Sequence, residues 1–162
     1  TLADMLINNY PSIKFTKDSF ASKIYELAYE LFNMKEKDRE LLQTLGTKMR
    51  EINPQVWVNY IEQKYKGNHN IIIDDARYPN ELEMLKKNGF YIIKLNISYK
   101  LQEQRIRKLY KDTYQLHLNK RNHASETSMD FLDDRIFNLI IDVDNDNLEH
   151  IVKTQLCQYV DH

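Results

Sequence analysis

The sequence predicts an α/β fold with parallel strands, and three observations carry the prediction. Ile71-Ile72-Ile73 is a run of β-branched residues that stops on Asp74 and Asp75. Such a run fits a strand covered on both faces, whose carboxyl end delivers charge to a ligand. A second strand over 91–97 follows a helix over 80–87, and a strand–helix–strand crossover of that kind implies parallel pairing. Amphipathic helical segments alternate with these strands, as in α/β proteins generally.

In chain order, residues 1–7 read as a helix, because Leu2, Met5 and Leu6 share a face and Pro11 prevents continuation. Ile13-Lys14-Phe15 alternates as a short strand. Residues 19–32 form an amphipathic helix with Phe20, Ile24, Leu27, Ala28 and Leu31 at helical spacing. Asp38 caps another helix, whose Leu41, Leu42 and Leu45 face inward and which Gly46 breaks or thins. Asn53 as cap and Pro54 in the first position start the next; Val56, Trp57, Tyr60 and Ile61 fill its buried side, and Gly67 ends it. The strand at 71–73, the helix 80–87, its stop at Gly89 and the strand 91–97 follow. A basic helix over 101–110 leads into a polar stretch containing His, Lys and Arg. Residues 137–141 are the last strand and 148–159 a closing helix.

With 162 residues and no Pro/Gly/Ser-rich linker, the chain is expected to form one domain over 1–162. Its 42% apolar and 29% charged residues fit a soluble globular protein, and no apolar run is long enough to cross a bilayer. A net charge of -1 offers no global attraction for nucleic acid. The lone Cys157 excludes an internal disulfide and no signal-peptide pattern opens the chain, so the cytoplasm is the expected compartment. The histidines lack metal-ligand spacing, which argues against a zinc site. Only three glycines occur, none in the first forty residues, so a phosphate-cradling glycine loop is absent from the sequence.

Four groups of residues could carry chemistry. The first is Asp75, Arg77 and Glu81 at the end of the isoleucine strand. Acids there can hold Mg²⁺ and the arginine can fork onto phosphate oxygens; the plainer alternative has the acids capping a helix and Arg77 in a surface ion pair. The second is Arg105, Arg107, Lys108, Lys111, Lys120 and Arg121. Such a run is ordinarily a solvated helix face, but in a phosphoryl-transfer enzyme it would be a lid whose cations neutralise the transferring group. The third is His123-Ala124-Ser125-Glu126, whose side chains can hydrogen-bond a ligand or orient a cation, set against a capping box at Thr127-Ser128-Met129-Asp130. The fourth is the segment from Leu41 to Arg50 with Asn53 to Val58, which can frame a base pocket with an apolar wall. Within it, Trp57 reads as core before it reads as a stacking platform.

Together these blocks resemble the deoxynucleoside monophosphate kinases of tailed phages and related large DNA viruses, members of the P-loop kinase superfamily. Ser19-Phe20-Ala21-Ser22-Lys23 resembles the family's Ser-Phe-Ala block with its following basic residue. Leu42 through Arg50 and Pro54 through Val58 resemble its Leu-Gln-x-Leu-Gly-Thr and Pro-x-x-Trp-Val blocks. Asp75 to Glu81 resembles Asp-x-Arg-(aromatic)-Pro-Asn-Glu, and His123 to Glu126 resembles His-x-Ser-Glu. The similarity spans nearly the whole chain. At the start, Thr1-Leu2-Ala3-Asp4-Met5-Leu6 resembles only the tail of the family's glycine-loop and helix motif; the central strand, the loop and its lysine are missing. A fragment of a longer protein is expected, with loss of the nucleotide clamp as the alternative.

The resemblance implies a three-layer P-loop-kinase-like parallel sheet flanked by helices, with a helical lid. It implies an enzyme that transfers the γ-phosphoryl group of ATP, with Mg²⁺, to a deoxynucleoside 5′-monophosphate. Arg77 would take the acceptor phosphate, Asp75 the Mg²⁺ shell or acceptor orientation, and Arg105 with Arg121 the lid contribution. Lys23, Arg50 and Trp57, with Glu81, would help form the monophosphate pocket, and His123, Ser125 and Glu126 its lid side. Thr1 would lie at a helix N-terminus near the nucleotide phosphates. Neither membrane nor nucleic acid is an expected partner, and pairing into a homodimer is left open. The rivals are a catalytically silent kinase-like domain used for binding or assembly, and a nucleic-acid-binding module using the stretch from Arg105 to Arg121. The second lacks the aromatic interleaving that stacks bases.

Overall fold

The structure, a computed structural model, describes residues 1–67, 70–112, 114–119, 132–144 and 147–159. It is mixed α/β. The elements run α1 (Leu2–Asn9), β1 (Thr16–Asp18), α2 (Ser22–Phe32), α3 (Arg39–Ile52), α4 (Val56–Lys64), β2 (Ile71–Ile73), α5 (Pro79–Lys87) and β3 (Ile93–Asn96). There follow α6 (Tyr99–Leu109), α7 (Tyr114–Asn119), β4 (Leu139–Asp142) and α8 (Leu148–Thr154), with single 3-10 turns at Asp134–Ile136 and Cys157–Tyr159. All pairing among the described strands is parallel, as expected. The strands form two separate two-stranded sheets, β1 with β2 and β3 with β4. The pairing of β2 with β3 that a simple crossover would give is not among them. By internal contacts the chain falls into two compact units, residues 11–76 and residues 1–10 with 77–162.

In the 11–76 unit, β1 lies three residues later than the alternation at 13–15 suggests. The Phe15 N–H turns back onto the Ile13 carbonyl at 2.9 Å, and only from Thr16, whose N–H reaches the Asn70 carbonyl at 2.8 Å, does the backbone run straight beside β2. Backbone pairing sets this strand, because Thr16 and Lys17 are exposed. Helix α2 starts at Ser22 rather than 19; before it the chain makes a tight turn, the Ser22 N–H donating to the Ser19 carbonyl at 3.1 Å. Phe20, Ile24 and Ala28 are buried, but Leu31, at the same spacing, is 70% exposed: the covered stripe stops before the helix does.

Helix α3 is capped as expected, with Asp38 Oδ1 accepting the Glu40 and Leu41 N–H groups. Gly46 neither breaks nor thins it; the helix runs through to Ile52, with Gly46 buried in its interior. Asn53 caps a turn instead of a helix, its Oδ1 accepting the Gln55 N–H at 2.9 Å, and α4 begins at Val56. Trp57, Val58 and Ile61 join Phe20, Ile24, Ala28 and Met34 in the buried set of this unit.

In the other unit the core is Ile141, Ile151, Val152 and Leu156, covered by Leu2, Met5, Leu6 and Tyr10 of the first helix and its end, and by Ile93 and Leu139. Ile141 and Val152 are fully excluded from solvent, each stabilising the fold by about 2 kcal/mol through apolar burial. The Tyr10 hydroxyl donates to the Val152 carbonyl at 3.0 Å, fixing α1 to α8. The closing helix is shorter than 148–159, because the last turn tightens to 3-10 geometry after Leu156 enters the core.

Candidate functional site

β2 ends on two carboxylates, both engaged within the 11–76 unit. Asp75 Oδ1 accepts the Phe20 N–H at 2.7 Å, and its Oδ2 accepts the Ala21 N–H at 3.0 Å. The first amides of a helix need an acceptor, and here it comes from the next strand instead of from a local cap: Ala21 contributes no side-chain cap. A negative charge at that end is also favoured by the helix dipole. The bonds fix the turn that leads to Lys23 against the end of β2. Asp74 pairs with Lys17 at 3.0 Å.

β1 ends in the same manner. Asp18, 8% exposed at its side chain, receives Lys64 Nζ at 2.7 Å, the Tyr65 hydroxyl and the Ser19 N–H at 2.8 Å. Burial pushes its carboxyl up, but the hydrogen bonds from Lys64, Tyr65 and Ser19 outweigh that and hold it below its ordinary value. The Asp18 hydrogen bond raises the Lys64 ammonium well above the usual lysine range. No local sequence pattern links Asp18 with Lys64 and Tyr65, and reading the residues missed this cluster. The available signal was positional: Asp18 closes one strand as Asp74 closes the next.

Lys23 reaches Glu26 at 2.6 Å and lies 5.8 Å from the centre of the Tyr60 ring, over which Lys64 also sits at 5.6 Å. Its hydrogen bond with Glu26 raises the ammonium's pKa. Arg50 and Trp57 are brought together on one atom. The Gly46 carbonyl accepts Arg50 Nη1 at 3.2 Å and Trp57 Nε1 at 3.2 Å. A methyl group on Gly46 would stand 3.3 Å from Arg50 Nη1 and 3.2 Å from Ile24 Cδ1, so the missing side chain is what lets the guanidinium fold back here. Trp57 is 2% exposed. It is a core residue whose ring offers no open face for stacking.

In the second unit, Glu81 is also buried, at 2% exposure. Its Oε2 accepts the N–H groups of Arg77 at 2.7 Å and Tyr78 at 3.0 Å. Glu81 therefore shapes the turn that carries Arg77 into α5, which begins at Pro79, one residue before the expected 80, with the proline in its first turn. Thr1 caps α1, its hydroxyl accepting the Asp4 N–H at 3.2 Å. Arg105 is exposed on α6, while Arg107 is held by Glu103 at 2.7 Å and lies 4.3 Å from the centre of the Tyr114 ring. Arg121, His123, Ser125 and Glu126, with Lys120 and the capping box at 127–130, lie outside the described residues.

The carboxyl ends of β3 and β4 border a cleft of about 420 Å³ lined by Asn96, Ile97, Ser98, Asp142 and Asp144. Among the described residues no group of three His, Cys, Asp or Glu side chains is disposed to hold a metal ion, and no helix is long and apolar enough to cross a membrane. No protein-family model matches the chain, and neither a curated protein nor a solved structure matches it.

Proposed function

We propose that the protein is an ATP-dependent kinase acting on a deoxynucleoside 5′-monophosphate, giving ADP and the diphosphate. The observation that carries the reading is the organisation of the segment from Asp75 to Glu81. A parallel strand ends on Asp75, which anchors the turn leading to Lys23, and Glu81 shapes the turn bearing Arg77. Both carboxylates hold backbone, and Arg77 follows the end of β2 in sequence, the position at which α/β proteins bind phosphates. Arg77 takes the acceptor phosphate, Lys23 and Arg50 border the monophosphate, and Trp57 supplies the rigid wall behind Arg50. Arg105 and Arg121 neutralise the transferring group, and His123, Ser125 and Glu126 face the acceptor from the lid side. Phosphoryl transfer asks little covalent work of a protein, so alignment and charge neutralisation suffice.

Magnesium in such a site takes one or two protein oxygens and completes its shell with phosphate and water. Asp75, at the end of β2, would hold the ion, which when bound would supply charge neutralisation at the phosphates. The finer fold, a three-layer sheet flanked by helices with α6 and α7 as its lid, belongs to the same proposal. Calorimetric titration of the complete gene product with each deoxynucleoside monophosphate tests the reading. One or a few should bind, and Arg77→Ala should weaken that binding at least tenfold, the scale of a lost charged hydrogen bond. Equal affinity in the variant would remove Arg77 from the acceptor site.

A further inference from the structure

Two ammonium groups of the 11–76 unit converge on one aromatic ring. Lys23 Nζ lies 5.8 Å and Lys64 Nζ 5.6 Å from the centre of the Tyr60 ring. Tyr60 and Lys64 stand one turn apart on α4 and share a face, while Lys23 comes from the first turn of α2. Like charges gathered on one ring repel, and a cation in the first turn of a helix opposes its dipole. Stability alone does not ask for this arrangement; an anion drawn between the two ammoniums relieves both costs.

The two lysines are held differently. Lys64 donates at 2.7 Å to Asp18, the last residue of β1, and that carboxylate, 8% exposed, also receives the Tyr65 hydroxyl and the Ser19 N–H. Lys23 pairs with Glu26 of its own helix at 2.6 Å, and that carboxylate is 45% exposed. An exposed pair of neighbours on one helix contributes little, so a dianion can take Lys23 from Glu26, whereas the buried Asp18 keeps Lys64 in place. Both ammoniums ride on flexible four-carbon stems, which lets one phosphate be met by the two. The cluster lies at the carboxyl end of β1, the end at which α/β proteins bind ligands.

We infer that Lys23, Lys64 and the Tyr60 ring form a subsite for the dianion of a phosphate monoester, with Lys64 as its fixed cation, clamped by Asp18, and Lys23 as its exchangeable one, which leaves Glu26 for the ligand. The inference rests on the kinase reading for the owner of the phosphate, the deoxynucleoside monophosphate that Lys23 borders there. Lys64, Tyr60 and Glu26 are its new members. Glu26 touches no ligand; it competes for Lys23 and so lowers the affinity of the subsite.

The test is a nuclear magnetic resonance titration of the full-length protein with inorganic phosphate at low salt, read at the Lys23, Tyr60 and Lys64 amides, followed by displacement of the phosphate with each deoxynucleoside monophosphate. Phosphate should shift all three signals, and added salt should weaken its binding. Lys23→Met should lower phosphate affinity roughly tenfold, the scale of one lost charged hydrogen bond. Glu26→Gln should raise it about threefold, because the competitor is gone and Lys23 remains. Lys64→Met alone strands a buried carboxylate, so the double variant Asp18→Asn with Lys64→Met is used: it leaves net charge unchanged, keeps an acceptor for the Ser19 N–H, and should bind phosphate roughly tenfold more weakly. A lysine serving only to pair with Asp18 would leave that affinity as in wild type. No phosphate-induced shift at the three residues, or wild-type affinity in Lys23→Met, Glu26→Gln or the double variant, would overturn the subsite, while monophosphate binding measured by calorimetry still decides the kinase reading. Phosphate binding that follows these variants yet yields to no monophosphate would uphold the anion subsite and overturn the kinase reading's claim on it.

Discussion

Replacing Glu81 by alanine would strand two backbone donors inside a packed turn. The carboxylate is 2% exposed, and its Oε2 accepts the Arg77 N–H at 2.7 Å and the Tyr78 N–H at 3.0 Å. Leaving a buried donor unpaired costs about 1–3 kcal/mol, and water entering the vacated volume recovers part of that. A loss of about 3 kcal/mol is expected. Glutamine keeps a carbonyl oxygen at the same reach and gives up only the charge on the acceptor, about 1 kcal/mol. The order of stability is therefore Glu, Gln, Ala, with about 2 kcal/mol between the last two. Because domains are stable by only about 5–15 kcal/mol, the alanine variant forfeits a large share, equivalent to a fall of about 6–12 °C in Tm at this chain length. Urea denaturation followed by far-ultraviolet circular dichroism measures both variants, with slopes compared so that a midpoint shift reads as stability. An alanine variant within about 0.5 kcal/mol of wild type, or a glutamine variant as unstable as alanine, would refute the account of Glu81 as the anchor of the Arg77 turn.

Two further outcomes are expected. Gly46→Ala gains about 1 kcal/mol of helix propensity, offset by small displacements of Ile24 Cδ1 and Arg50 Nη1, which stand 3.2 and 3.3 Å from the new methyl. Stability should stay within about 1 kcal/mol of wild type while monophosphate affinity in calorimetry falls; unchanged affinity would detach Arg50 from the pocket. Asp18 has a folded pKa below its unfolded value, so its stabilising effect is present above about pH 4 and fades as pH falls through the folded value. The stability gap between wild type and Asp18→Asn, measured by urea titration at about pH 6 and about pH 3, should shrink at the lower pH; a constant gap would contradict the assignment.

The parts of the fold legible in the sequence are those held by near neighbours. Asp38 caps α3 from its own position, reaching only two and three residues on. The β-branched run at Ile71–Ile73 is a strand for the reason its composition suggests. What escaped the sequence depends on atoms far along the chain. Asp75 accepts the Phe20 and Ala21 amides across 55 and 54 residues, so the turn before α2 is held from the end of β2. β1 is placed by pairing with β2, against the alternation at 13–15. Gly46 reads as a breaker in isolation, yet its carbonyl collects Trp57 and Arg50 and its bare Cα makes room for Ile24 and Arg50. At the candidate site, the residue types at the end of β2 were legible. Their division of labour was not: Asp75 and Glu81 hold backbone on either side of Arg77, and only the hydrogen-bond partners reveal it.

The most direct test of the central claim is ADP release by the full-length protein with Mg-ATP and each deoxynucleoside monophosphate in turn, beside Arg77→Ala. The account predicts turnover with one or a few monophosphates and a loss of at least a hundredfold in kcat/KM in the variant, as when a charged contact to a transferring or accepting phosphate is removed. A folded protein that binds ATP yet releases no ADP with any monophosphate, or an Arg77→Ala variant as active as wild type, would contradict it.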